Sequence, residues 1–335
     1  MIQVIATTPY TDQKMGTAGL RKKSKVVMQE HYFENFLQSI FNTIDPAGKT
    51  FVVGGDGRFY NSIAIQKLIK MAAANGVKKL IVGQNGFLST PASSNMILKR
   101  RTDGGFVLSA SHNPGGENGD FGIKFATETG GQCSSRVSDR IFAVSQTISE
   151  FKTVDAADID LSRLGTQNLE GMEIEIVDPI SDYVELMEKI FDFELIKKMF
   201  ANGFTMRFDA MNAVTGPYAI RIFEEILGAA KGSVLNAVPK PDFGGLHPDP
   251  NLVYAKELVN IMYADDAPDF GAANDGDGDR NMILGKKFFV TPSDSLAILT
   301  DNYDLIPAYK GGIYGVAKSM ATSTAVARVA SARNI

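Results

Sequence analysis

Asp275, Asp277 and Asp279 stand at alternate positions, separated only by Gly276 and Gly278 and followed by Arg280. In an extended segment alternate side chains share a face, so this spacing predicts three carboxylates projecting together. The glycines between them let the backbone curl around an ion. Carboxylate oxygens without histidine or cysteine suit Mg2+, Mn2+ or Ca2+ rather than zinc. An EF-hand loop would need glycine at its sixth position and glutamate at its twelfth. Arg280 and Lys286 stand there instead, which excludes that reading. Three adjacent carboxylates repel one another, and a bound cation is the simplest reason to keep them close.

The second group lies in SASHNPGGENGDFGIKF, residues 109–125. Ser111, beside His112 and ahead of a Gly-Gly turn, is a nucleophile if a neighbour activates it. Asn113, Gly115 and Gly116 can offer backbone N–H groups to an anion. Loop serines also serve as turn or cap residues, and local rules leave both readings open. Ser111 has no G-x-S-x-G elbow around it, and neither His31 nor His247 is visibly placed for a triad. P-loop and G-x-G-x-x-G strings do not occur, which disfavours nucleotide and dinucleotide sites of those types.

Both loops follow predicted strands. FVVGG from Phe51, KKLIVG from Lys78 and GGFVLSA from Gly104 read as buried strands. Between them, Ile65, Leu68, Ile69 and Ala72 recur at helical spacing, and Thr90-Pro91 opens a second helix with Thr90 as its N-cap. Phe33, Phe36, Leu37, Ile40 and Phe41 mark an amphipathic helix that covers one face. The rhythm returns after residue 180. TMRFDAM, GSVLNAV and DFGAA read as strands, Ala219, Ile222, Phe223, Ile226 and Leu227 as one helical stripe, and Leu258, Ile261 and Met262 as another. The acidic stretch 150–182 is the expected boundary. Thr291-Pro292-Ser293-Asp294 starts a further helix, and GGIYGVAKSM from Gly311 is expected to be a strand opening a third unit.

The fold class expected is therefore α/β: successive βαβαβ-type domains with mixed or parallel sheets, helices on their faces and an active-site cleft between domains. In such sheets ligands gather beyond the carboxyl ends of strands, where both polar loops fall.

Length and composition bound the rest. At 335 residues and 44% hydrophobic content the chain can build two or three cores without disulfide or metal staples. The single Cys133, expected to be inert, fits a reducing compartment. With 34 basic and 38 acidic residues the net charge is −4, so no bulk argument for nucleic acid or membrane exists. MIQVIATTPYTDQK does not read as a secretory signal, and a cytoplasmic monomer is expected.

Taken together, the motifs resemble the α-D-phosphohexomutases, and within them the phosphoglucomutase branch. The matching strings are GTAGLRKK at 16–23, VVGGDGRFY at 52–60, GQNGFLSTPA at 83–92, SASHNPGG at 109–116, NGDFGIKF at 118–125, HPDPN at 247–251 and DGDGDRNMILG at 275–285. The resemblance implies that Ser111 carries a phosphoryl group, and that Asp275, Asp277 and Asp279 bind one Mg2+ with the phosphoserine completing its coordination. It implies reversible conversion of glucose 1-phosphate to glucose 6-phosphate, with glucose 1,6-bisphosphate as intermediate and activator. Thr17, Arg21, Asp279 and Arg280, with Ser111, would then meet the substrate, the guanidiniums matching phosphate oxygens. Lys124 is the first choice of general acid/base and His112 the second; a lysine base needs neighbours that favour its neutral form, such as nearby cations. Asp56 and Arg58 are expected to brace the loops, His247 to be structural and His31 exposed.

The resemblance also implies divisions at 1–182, 183–302 and 303–335, the last being the start of an incomplete third domain, with a fourth absent. The family's Gly-Glu-Glu-Ser sugar loop and Arg-x-Ser-Gly-Thr phosphate loop do not occur in these residues, so turnover by this chain alone is not expected. Ser109 and Ala18 replace the usual threonine and serine, with little expected consequence. Two other readings compete: a non-catalytic phosphoprotein or binding module, and a mutase for mannose or glucosamine phosphate.

Overall fold

The apolar runs fold as the spacing predicts. The computed structural model, which describes residues 1–335, places Thr50–Gly55, Lys79–Phe87 and Gly104–Leu108 side by side as parallel strands. They form the middle of a seven-stranded sheet ordered Leu20–Lys23, Asp120–Thr127, Gly104–Leu108, Thr50–Gly55, Lys79–Phe87, Met172–Val177 and Gly165–Leu169. Leu20–Lys23, Asp120–Thr127 and Gly165–Leu169 pair antiparallel to their neighbours, so the sheet is mixed. The acidic stretch expected to separate the units thus supplies the sheet's last two strands. Met172–Val177 alternates exposure along its length yet is flanked on both sides, which the pattern alone did not disclose.

Helix Tyr32–Ile44 buries Phe33, Phe36, Leu37, Ile40 and Phe41 completely or nearly so. Each such side chain contributes about 1.5–3 kcal/mol on leaving water. Phe106 of the sheet meets Phe41, Phe51 and Phe125 at ring-centroid distances of 5.7, 5.6 and 5.3 Å. The helix Asn61–Ala74 adds Ile65, Leu68, Ile69 and Ala72 to the same core.

A second sheet, ordered Val234–Leu235, Met206–Asp209, Phe270–Asn274, Asn281–Gly285 and Phe288–Val290, begins parallel and ends in two antiparallel pairs. The helical stripe after Thr215 is a short α-helix, Thr215–Ala219, continued as a π-helix, Ile220–Ile226. Val214 and Tyr218 from this unit pack into the apolar cluster of Val52, Ile81, Leu88 and Ile97 on the first sheet. The two units therefore share a packed boundary.

Two expectations of secondary structure fail. Residues 311–320 form no strand: Tyr314 and Met320 lie open to solvent, and no neighbouring strand offers them a ladder. Thr90 is not the N-cap of helix Thr90–Arg100; Ser89 holds that place, accepting a hydrogen bond from the Ala92 N–H at 3.2 Å. No helix is long and apolar enough to cross a membrane.

Candidate active site

The strand Gly104–Leu108 ends the first parallel block, and the chain then turns through Ser111 before returning as Asp120–Thr127. Phe270–Asn274 plays the same part in the second unit, with Asp275–Arg280 as its turn. These two turns face each other. The Ser111 hydroxyl, buried, donates to Asp275 Oδ2 at 2.7 Å. Gly276 brings the backbones closer still: a Cβ there would lie 2.5 Å from the Ser111 carbonyl oxygen.

Ser111 has φ +55°, an uncommon and strained conformation for a residue with a side chain. Its N–H donates to the Ser109 hydroxyl at 2.8 Å, so the serine at 109 does the local work of a hydroxyl there. Beneath the loop, the fully buried Arg58 guanidinium pairs with Asp56 at 2.8 Å. It also donates to the carbonyls of Ser111 at 2.7 Å, Asp120 at 2.8 Å and Asn113 at 3.4 Å. The brace reaches the second unit too, since the guanidinium lies 5.2 Å from the Phe243 ring centroid. The Pro241 carbonyl accepts from Phe59 N–H at 2.7 Å and Gly116 N–H at 3.1 Å. Pro241 and Phe243 escaped sequence reasoning because neither carries a reactive group.

Asp275, Asp277 and Asp279 place carboxylate oxygens within 4.8 Å of one another. They converge through a turn, not through strand alternation. Asp275 Oδ1 accepts from the N–H groups of Asp279 and Arg280, each at 3.0 Å, and Gly278 takes φ +78° to close the turn. Burial and the charges of Asp277 and Asp279 push the Asp275 carboxyl well above the usual carboxylate range. Burial would raise Asp277 likewise, but the Lys124 ammonium and Thr90 hydroxyl beside it hold it below that range.

Lys124, on the Asp120–Thr127 strand, is almost wholly buried and reaches Asp277 Oδ2 at 2.5 Å and Asp279 Oδ2 at 3.4 Å. Its close partners are carboxylates, not the cations expected beside a lysine base. Thr90 also joins the group: its hydroxyl donates to Asp277 Oδ2 at 2.5 Å and accepts from Lys124 at 3.3 Å. Asp277 Oδ1 remains buried without a partner.

The residues fit a hard divalent cation by this test: clustered oxygen donors, an excess of negative charge around Asp275, and one buried carboxylate oxygen unsatisfied. Asp275, Asp277 and Asp279, with Ser111 adjoining, are the residues that would hold it.

The remaining sequence candidates lie around this centre. Arg21 sits on Leu20–Lys23, half-buried, and Arg280 is exposed at the end of the aspartate turn. Both charges act on His112, whose imidazole is held below its ordinary pKa by burial first and by Arg280 and Arg21 after it. His112 Nδ1 is buried without a partner, and its ring stacks parallel to His247 at 6.4 Å. His247 lies 4.0 Å from the Tyr254 ring, in keeping with a structural part. Thr17 is exposed and shares with Lys124 a cleft of about 450 Å³ lined also by Gln132 and Asp139. His31 is half-buried rather than exposed, its ring centroid 4.9 Å from that of Phe151 in an edge-on arrangement. Cys133 is half-buried, its thiol pushed up by burial.

Two mixed α/β units meeting at a serine and an aspartate turn define the α-D-phosphohexomutase architecture. Residues 12–152 match "Phosphoglucomutase/phosphomannomutase, alpha/beta/alpha domain I" and residues 181–287 the corresponding domain II. The chain belongs to the phosphoglucomutase/phosphomannomutase family. It is 57% identical over 331 residues to a phosphoglucomutase of Rhizobium radiobacter, covering 98% of this chain and 61% of that one. A chloroplastic phosphoglucomutase of Brassica napus is 53% identical, with 98% and 53% covered. The crystal structure of parafusin, a phosphoglucomutase from Paramecium, superposes with a TM-score of 0.96 at 47% identity, over 100% of this chain and 63% of that one. The chain thus spans about 61% and 53% of the two curated relatives' lengths.

Proposed function

We propose that this chain carries the phosphoryl-transfer centre of a phosphoglucomutase, an isomerase that interconverts glucose 1-phosphate and glucose 6-phosphate. The observation that carries the reading is the Ser111 hydroxyl set 2.7 Å from Asp275 within the aspartate cluster. Relatives named phosphoglucomutase at 57% and 53% identity support the glucose assignment over mannose or glucosamine phosphate.

In the proposed reaction Ser111 Oγ carries a phosphoryl group. A free hydroxyl of the hexose phosphate attacks phosphorus, the bond to Ser111 Oγ breaks, and glucose 1,6-bisphosphate forms. The sugar hydroxyl's proton leaves as the new bond forms, and Ser111 Oγ regains one. After the bisphosphate turns end for end, its other phosphoryl group returns to Ser111. Such transfers need charge stabilisation and alignment more than covalent chemistry. Mg2+, held by Asp275, Asp277, Asp279 and Ser111, would supply positive charge at the transferring group. Arg21 and Arg280 add two forks for phosphate oxygens, and Thr17 a hydroxyl at the cleft. Lys124, paired with Asp277 and Asp279 rather than with cations, serves as a proton donor and not as the base; burial and the two arginines favour the neutral His112 that can accept a proton. The main chain around Ser111 is held still by Arg58, so the nucleophile stays aligned.

We place the phosphoserine unit at 1–182, the metal unit at 183–302 and the start of a further unit at 303–335. The substrate is taken to be a hexose phosphate, the chain a monomer, and its compartment the cytoplasm.

A chase tests the reading. Protein phosphorylated on Ser111 should surrender its phosphoryl group to glucose 1-phosphate or glucose 6-phosphate, yielding glucose 1,6-bisphosphate, and much more slowly to N-acetylglucosamine 1-phosphate. Retention of the label with every hexose phosphate would leave the binding-module reading in its place.

A further inference from the structure

We infer that Thr90 is a positioning residue that fixes the Asp277 carboxylate so that Oδ1 is the oxygen left for a divalent cation. The inference rests on the reading of Asp275–Asp279 as a metal site.

Thr90 begins an eleven-residue helix, and a hydroxyl at a helix start ordinarily caps free N–H groups. Here Ser89 does so, through the Ala92 N–H at 3.2 Å. The Thr90 side chain is thereby released for another use. Its hydroxyl donates to Asp277 Oδ2 at 2.5 Å, while its own N–H donates to the Asp277 main-chain carbonyl at 2.9 Å. One residue of the first unit therefore grips both the backbone and the side chain of one aspartate in the second. The contact spans 187 positions of sequence.

The two oxygens of Asp277 are consequently unlike. Oδ2 takes the Thr90 hydroxyl and the Lys124 ammonium. Oδ1 is buried and takes nothing, although Asp277 as a whole is fully buried. A buried carboxylate oxygen left bare is costly, so the arrangement is complete only with a partner from outside the chain. A hard cation shared with Asp275 and Asp279 supplies one. Lysine alone would hold Oδ2 less firmly, because its ammonium is a point charge on a flexible stem. The threonine hydroxyl, on a stiff β-branched side chain at a helix start, adds the fixed direction. Groups of this kind behind a metal ligand change affinity by about 10–100-fold when removed.

The test is calorimetric titration of the metal alone, Mn2+ or Mg2+, into wild type, Thr90→Val, Thr90→Ser and Asp275→Asn. Thr90→Val should weaken binding by about tenfold or more, and Thr90→Ser, which keeps the hydroxyl, should bind within a few-fold of wild type. Thr90→Ala repeats the comparison should valine not fold, and matched circular dichroism confirms that each variant retains its structure. Wild-type affinity in Thr90→Val or Thr90→Ala, or equal loss in Thr90→Ser, would overturn the inference while Asp275→Asn still reports on the metal site. No binding to wild type would overturn both.

Discussion

The hydroxyl of Ser111 and the carboxylate of Asp275, 164 positions apart in the chain, meet in a hydrogen bond of 2.7 Å. Each stands just past the end of a parallel strand, one in each sheet, and the shared packing of Val214 and Tyr218 with the first sheet keeps the two strand ends in register. The candidate centre is thus a property of how two units dock, and changes at their contact should be felt there.

Gly276 lies at that contact. A methyl group at this position would sit 2.5 Å from the Ser111 carbonyl oxygen and 3.4 Å from Arg58 Nη2, so one backbone must withdraw. Gly276→Ala is expected to lower the rate of phosphoryl transfer to Ser111 by about 100-fold, the scale of a misplacement near 1 Å. Its far-ultraviolet circular dichroism should match wild type. A wild-type rate would show that the two backbones need not approach.

Arg58 makes a stability prediction. Arg58→Met strips three main-chain carbonyls of their donor and leaves Asp56 buried without its ion partner. Breaking a buried pair from one side costs about 3–5 kcal/mol. Urea unfolding should show a loss of that size, and a loss below about 1 kcal/mol would mean that water or another cation replaces the guanidinium.

Strong acid should act on a more exposed network. Glu185 hydrogen-bonds Lys189 and Lys99, which bring its carboxyl from an ordinary value of 4.5 down to about 2. Asp182 is held down too, by Lys99 and Arg100 against its burial. A carboxylate depressed on folding stabilises the fold above its unfolded pKa, and that contribution disappears as pH falls through the folded value. The window for Glu185 is therefore about pH 4.5 to 2. Lys99→Met should raise the NMR titration midpoints of Glu185 and Asp182 and flatten the pH dependence of stability there. Unmoved midpoints would assign the depression to other groups.

Much of the centre was legible in residue type and order. Ser111, the three aspartates and Lys124 stand in strings that resemble one family, and apolar runs located the strands that carry them. Thr90 was misjudged because Ser89 and Thr90 offer two hydroxyls for one cap, and only the fold shows which one turns to Asp277. The aspartates were expected on one strand face, yet the Gly278 turn gathers them, since alternation holds only while backbone stays extended. Arg58 was expected to brace the loops; that it does so through three carbonyls at once depends on tertiary placement no spacing rule contains. Residues 311–320 have strand composition, but a strand needs a partner edge, and they pair with none.

The proposed transfer puts a phosphoryl group on Ser111 at a metal-dependent centre. Intact mass should be measured before and after incubating the protein with glucose 1,6-bisphosphate and Mg2+, with peptide mapping to Ser111. A gain of one phosphoryl group is expected, abolished by Ser111→Ala, by Asp277→Ala and by chelation. Protein that starts unphosphorylated and gains nothing, or gains equally in Ser111→Ala, would contradict it.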